Sequence, residues 1–166
     1  ITLFLIAIHY FGKVDFNGHA VTSCCMMFGF SLFGKNILNI SLILMGILLY
    51  AILHGVSMKK YLYVGCYGTC LSPIITQVMH AGNMRAWQQI ALSIFTGLVI
   101  GYVLLPIAIH TLAVHKGFSL YNVGFAAGII ATIIASIFKS FGIGIESRLL
   151  WSTQYNSIFI YALPLF

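Results

Sequence analysis

Ten formal charges in 166 residues, set singly or in pairs between long uncharged runs, constrain this chain more than any other feature. The uncharged runs cover 16–34, 36–58, 61–84, 86–115, 117–138 and 149–166. A soluble domain clothes its surface with about 25% charged residues; here the share is 6%, and 61% of residues are hydrophobic. Ten charges cannot cover a domain of this size. The composition excludes a soluble enzyme, a nucleic-acid-binding module and a disordered tail. It points to a chain whose partner is the lipid bilayer, in a multi-pass protein of the cell membrane.

The net charge of +6 comes from eight basic residues against Asp15 and Glu146. The basic residues form no patch, so they read as orientation signals flanking spans and not as a nucleic-acid surface. Cys24, Cys25, Cys66 and Cys70 all lie in apolar runs, where cysteine serves as a small buried hydrophobe. Cys66 and Cys70 are spaced C-x-x-x-C, which fits neither a disulfide framework nor a zinc site. The chain opens on Ile1 inside one apolar run and closes on Phe166 inside another. It is therefore expected to be one transmembrane domain over residues 1–166 and a fragment of a longer protein.

A hydrocarbon core about 30 Å thick needs about 20 helical residues rising about 1.5 Å each. Ile37–Val56, Ile90–Leu112 and Tyr121–Phe138 meet this cleanly, and Trp151–Phe166 starts a further span. Phe16–Gly34 and Tyr61–Met84 are long enough but have a different texture. The second carries Gly65, Gly68, Thr69, Ser72, Pro73, Thr76, Gln77, His80, Gly82 and Asn83. Such punctuation marks broken or re-entrant helices, whose freed backbone groups are tolerated where protein or a cavity surrounds them. Charge arithmetic separates two topologies. If 61–84 re-enters, Lys13, Lys59, Lys60, Arg85, Lys139 and Arg148 share one side and Lys35 and Lys116 the other. If it crosses, Lys13, Lys59, Lys60 and Lys116 face Lys35, Arg85, Lys139 and Arg148. The positive-inside rule favours the uneven split, with the six in the cytoplasm. The expected fold class is an all-α polytopic membrane bundle with broken or re-entrant helices, part of a larger repeat-built protein.

Two spans carry small residues every fourth position: Ser93, Gly97 and Gly101 in one, Gly124, Gly128, Thr132 and Ser136 in the other. Such residues share a helix face and let backbones approach closely in lipid. These two faces are expected to be packing faces, and to meet each other or a second copy of the chain. Pro106 is expected to kink its span near Tyr102.

Certain runs resemble a known family. They are Asp15-Phe16-Asn17-Gly18-His19, then Gly29 to Asn39, then Gly68-Thr69-Cys70-Leu71-Ser72-Pro73. Gly101 to Pro106, Gly117 to Gly128 and Lys139-Ser140-Phe141-Gly142 complete the set. Together they resemble a family of bacterial multi-pass membrane proteins defined by a domain of unknown function, DUF1576. That resemblance implies an integral membrane protein and supplies no activity. A second likeness, confined to architecture, is to urea transporters, which set aromatic–Asn–Gly turns beside spans and build a pore from paired repeats with re-entrant helices. Phe16-Asn17-Gly18 and Tyr121-Asn122-Val123-Gly124 correspond to such turns, except that Val123 separates Asn122 from its glycine.

The chemistry concentrates in 68–80. Thr69, Ser72 and Thr76 fall at i, i+3 and i+7, giving a short helix one polar face; Gln77 adds an amide. Pro73 fits the first turn of a helix that starts there. With Asn17 and Asn122 these residues form the candidate solute pathway, lined by neutral donors and acceptors. Polar glue between helices is the competing reading of 68–80, and helix capping that of the two asparagines. Six histidines include His80 and His110, retained as pathway candidates, but no fitting ligand set accompanies them. No catalytic residue, metal or cofactor is assigned. No ionisable group lies mid-span, so ion coupling is disfavoured and a small neutral or weakly polar solute is expected. A transporter or channel-like facilitator leads; a structural or assembly subunit is the alternative. An intramembrane enzyme would need at least three of His19, His80, His110, Cys66, Cys70 and Asp15 to converge.

Overall fold

In a computed structural model the described residues are 18–31, 35–80, 84–118 and 121–143, with isolated positions 6, 7, 10, 156, 157 and 160. All the regular structure among them is helical. The helices are α1 (Gly18–Ser31), α2 (Ile37–Leu53), α3 (Met58–Gly68), α4 (Ser72–Met79), α5 (Ala86–His115) and α6 (Asn122–Ser140). A single 3-10 turn, Thr69–Leu71, joins α3 to α4. The expected span Trp151–Phe166 lies outside the described residues, apart from those isolated positions. α5 and α6 are long and apolar enough to cross a membrane.

The helix ends follow from local chemistry. Asn36 caps α2 in a reciprocal box: its Oδ1 accepts from the Asn39 amide at 2.8 Å, and Asn39 Oδ1 accepts from the Asn36 amide at 2.9 Å. α2 ends where Gly55 takes φ +64°, a left-handed conformation that glycine adopts without penalty. α5 runs through Pro106 and stops at Lys116 and Gly117, both at positive φ, which turn the chain into α6.

The bundle is organised around the pair α2 and α5. A Cβ on Gly46 would meet Gly101 Cα at 2.9 Å and the Leu98 carbonyl. One on Gly101 would strike the Ile43 carbonyl, and one on Gly97 would lie 2.7 Å from Leu42 Cβ. The pairs 42/97 and 46/101 advance together, so α2 and α5 run parallel. The ladder of Gly97 and Gly101 thus packs against Leu42 and Gly46 of α2, with Ser93 buried on the same face. Ile43, Ile47, Ile75, Ile100, Leu104 and Leu105 form the core beside this contact.

The parallel pair decides the path between them. Gly65 lies against Leu44 and Ile47, whereas Thr76 bonds Asn39 near the start of α2. From 65 to 76 the chain therefore moves from the middle of α2 toward its beginning. Relative to α5 it moves from Leu104 beside Gly68 to Gly97 beside Ile75. This corrects the re-entrant expectation. The segment starts beside the end of α2 and finishes beside the start of α5, at the opposite end of the bundle, with one 3-10 turn along the way. Its glycines serve close packing and not reversal. Pro73 sits in the first turn of α4. The uneven charge split falls with it. Lys35, Arg85 and Lys139 lie at one end of the described bundle and Lys59, Lys60 and Lys116 at the other.

The second ladder does not meet the first. Gly124, Gly128, Thr132 and Ser136 are exposed, and α6 instead buries Ala126, Ala127 and Ile130 against α5 and α3. The exposed hydroxyls are satisfied within their own helix: Thr132 donates to the Gly128 carbonyl at 2.9 Å, and Ser136 to that of Thr132 at 2.8 Å.

Candidate functional site

The 3-10 turn places Thr69 where it faces the link between α1 and α2. Thr69 is fully buried, and its Oγ1 accepts from Lys35 Nζ at 2.8 Å while lying 2.6 Å from the Cys66 carbonyl, to which it donates. Met27 of α1 closes the other side, its Sδ 3.4 Å from Lys35 Nζ and 2.8 Å from Thr69 Oγ1. The ring of Phe30 lies 4.8 Å from the same Nζ. Lys35 is only 8% exposed. Burial pushes its ammonium down from 10.5 to about 8, and the neighbouring Cys70 and Cys66 oppose that shift.

One turn further along, Asn39 continues the cluster. The capping box holds its Oδ1 on the Asn36 amide, which leaves Nδ2 to donate to Thr76 Oγ1 at 3.0 Å. Ser72 lies between Thr69 and Thr76 on the same helix face. It is fully buried, and its Oγ is the buried side-chain polar atom that lacks a hydrogen-bond partner among the described residues. Leaving a hydroxyl so costs roughly 1–3 kcal/mol.

The three residues expected on one face, Thr69, Ser72 and Thr76, thus do line one side of a polar cluster. Gln77 does not; it is exposed. Asn17 lies outside the described residues. Asn122 is elsewhere, clamping α5 to α6. Its Oδ1 accepts from Thr111 Oγ1 at 3.0 Å and from His115 Nε2 at 2.7 Å, and its Nδ2 donates to the Ala108 carbonyl at 2.7 Å. The Gly117 amide donates to His115 Nδ1, which leaves the ring proton on Nε2 for Asn122. With both ends of its amide engaged within the hairpin, Asn122 is a clamp and not a partner of the Thr69 cluster.

Two contributors were not expected, Lys35 and Asn39. Lys35 read as a flanking charge, and only its contact with residue 69 reveals it as buried. Asn39 had a legible signal, the Asn36-x-x-Asn39 spacing of a reciprocal cap. The expectation of a neutral solute rested on there being no ionisable group in the middle of a span; Lys35 is not mid-span, yet it is buried. Its link lies outside the spans drawn from the sequence. His80 and His110 are exposed, and no three of His, Cys, Asp and Glu meet among the described residues.

An all-helical bundle with two helices of membrane-crossing length and a polar cluster closed around a lysine defines the class. The chain belongs to the family described as protein of unknown function (DUF1576), whose model matches residues 1–140. No curated protein and no solved structure matches it.

Proposed function

We propose that this chain is an integral, multi-pass protein of the cell membrane that moves a small polar solute across the bilayer. The bilayer reading draws on the outer surface, where Leu38, Ile52, Phe95 and Trp87 stand exposed. Water would penalise such a surface and lipid would not. The transport reading rests on a single observation. A polar cluster of buried Lys35, Asn39, Thr69 and Ser72, with half-buried Thr76, surrounds the point where a helix is interrupted, and one of its hydroxyls has no partner among the described residues. Interrupted helices with polar groups at bilayer depth are how membrane proteins offer binding groups to solutes. The test is flux into proteoliposomes carrying the full-length protein, across a panel of small polar solutes. Uptake of at least one, reduced tenfold or more by Thr69→Val with Ser72→Ala, supports the proposal; uptake of none removes it.

A second reading is favoured by the exposed face of Gly124, Gly128, Thr132 and Ser136. That face suits close packing against another helix, as in a structural or assembly subunit or a homo-oligomer. Full-length protein that transports nothing but behaves as a defined oligomer would favour it.

A further inference from the structure

Among the described residues the cluster is unbalanced in charge, and that imbalance names a ligand. The chain has two carboxylates, Asp15 and Glu146, and neither is among the described residues. Around Lys35 Nζ the described structure offers a neutral hydroxyl, a thioether and an aromatic ring, and no anion. An ammonium carries three protons. Thr69 and Met27 take two, the second weakly, because sulfur is a poor acceptor. A cation removed from water and given only neutral partners is expensive, and proteins normally pair such a charge.

The second observation is independent of the first. Ser72 Oγ is buried without a hydrogen-bond partner among the described residues, although Thr69 and Thr76 on the same face both have theirs. A hydroxyl can give one proton to an acceptor. The described surroundings thus hold a cation with no anion beside it, in contact with Thr69, and one helical turn beyond Thr69 a hydroxyl with a proton to donate. Both needs are met by a single species with negative charge on oxygen. A neutral solute would answer the hydroxyl and leave the cation as it is.

We infer that the Lys35–Thr69–Ser72 cluster binds a small monoanion whose charge lies on oxygen, a carboxylate or a like oxyanion, with Lys35 pairing the charge and Ser72 donating to it. One cation sets the preference for one negative charge. The inference rests on the transport reading of the same cluster and narrows it from a polar solute to an anionic one.

The experiment uses full-length protein in nanodiscs and in proteoliposomes. Formate, acetate and butyrate are each compared with the matching amide, formamide, acetamide or butyramide, and with chloride. Thermal stabilisation reports binding and counterflow reports movement. The acids are expected to raise the melting temperature and exchange, the amides at least tenfold less. Lys35→Met should abolish the difference between acid and amide, and Lys35→Arg should keep part of it; the unliganded melting temperature of each variant shows that it folds. If amides bind and move as well as acids, the solute pathway stands and the anionic assignment is overturned. If neither acids nor amides bind or move, the anionic assignment is overturned and the transport reading loses its support. If chloride competes as well as the acids, the requirement for oxygen falls. If Asp15→Asn or Glu146→Gln changes the unliganded protein as Lys35→Met does, the lysine has an internal partner and the inference fails.

Discussion

Replacing Lys35 with methionine tests the unpaired cation through the sign of the stability change. The lysine is described without an acidic partner, and burial lowers its ammonium from 10.5 to about 8. That drop corresponds to about 3 kcal/mol by which folding disfavours the charged form. Methionine is similar in length, carries no charge and adapts to irregular interiors. Thr69 keeps its bond to the Cys66 carbonyl, so removing the ammonium orphans no hydroxyl. In the unliganded protein at pH 7, Lys35→Met should therefore stabilise by about 1–3 kcal/mol, within the range seen when buried charges give way to apolar groups. At about 2–4 °C per kcal/mol for a chain of this size, the melting temperature should rise by roughly 2–12 °C. The pH dependence has a definite sign. Between about 8 and 10.5 the unfolded chain holds the Lys35 proton and the folded chain does not, so the stability gap between wild type and Lys35→Met narrows as pH rises across that window. Below it the penalty is constant. The effect is read as the difference between the two proteins at each pH, because every other titrating group is common to both. Melting followed by tryptophan fluorescence in detergent, from pH 7 to 10.5, reads both effects. A loss of about 3 kcal/mol or more in the variant would refute the reasoning, because that is the signature of breaking a buried ion pair.

Gly101→Ala should destabilise by about 1–3 kcal/mol, since its Cβ meets backbone on α2 that cannot swing aside. Gly128→Ala, with nothing within 4 Å, should be neutral or stabilise by up to about 1 kcal/mol through helix propensity; the two are compared by melting in the same detergent. Asn122→Ala removes the acceptor of His115 Nε2 while Thr111 keeps the Ala108 carbonyl, at a cost of about 1–2 kcal/mol by the same measurement. Cysteines introduced at Lys59 and Arg85 should label from opposite faces of the membrane with an impermeant maleimide; labelling from the same face would restore the re-entrant topology.

The helices were legible where run length alone decides. The runs from 37, 90 and 121 predicted α2, α5 and α6 to within a few residues, because an uncharged stretch of that length has few other ways to satisfy its backbone. The polar face of Thr69, Ser72 and Thr76 was legible from periodicity. What the residues could not disclose was what each face meets. Two ladders of small residues looked alike. One packs because Leu42 stands opposite Gly97 and Gly46 opposite Gly101, and the other stays outside because Ala126, Ala127 and Ile130 bury more apolar surface on the same helix. Glycine misled in the same way within 61–84. Gly65 and Gly68 read as breakers, yet they are small so that Leu44, Ile47 and Leu104 can sit against the helix. Lys35 was the least legible residue, since a lone charge between apolar runs looks the same whether it faces water or Thr69.

A disulfide between the ends of the Asn39–Thr76 contact probes the cluster most directly. With the four native cysteines replaced by alanine, Asn39→Cys with Thr76→Cys should cross-link readily under mild oxidation in membranes, because those side chains bond at 3.0 Å. The pair Asn39→Cys with Gln77→Cys, whose second member points outward, should not. Cross-linking of the Gln77 pair in preference to the Thr76 pair would turn the polar face away from Lys35 and dissolve the cluster.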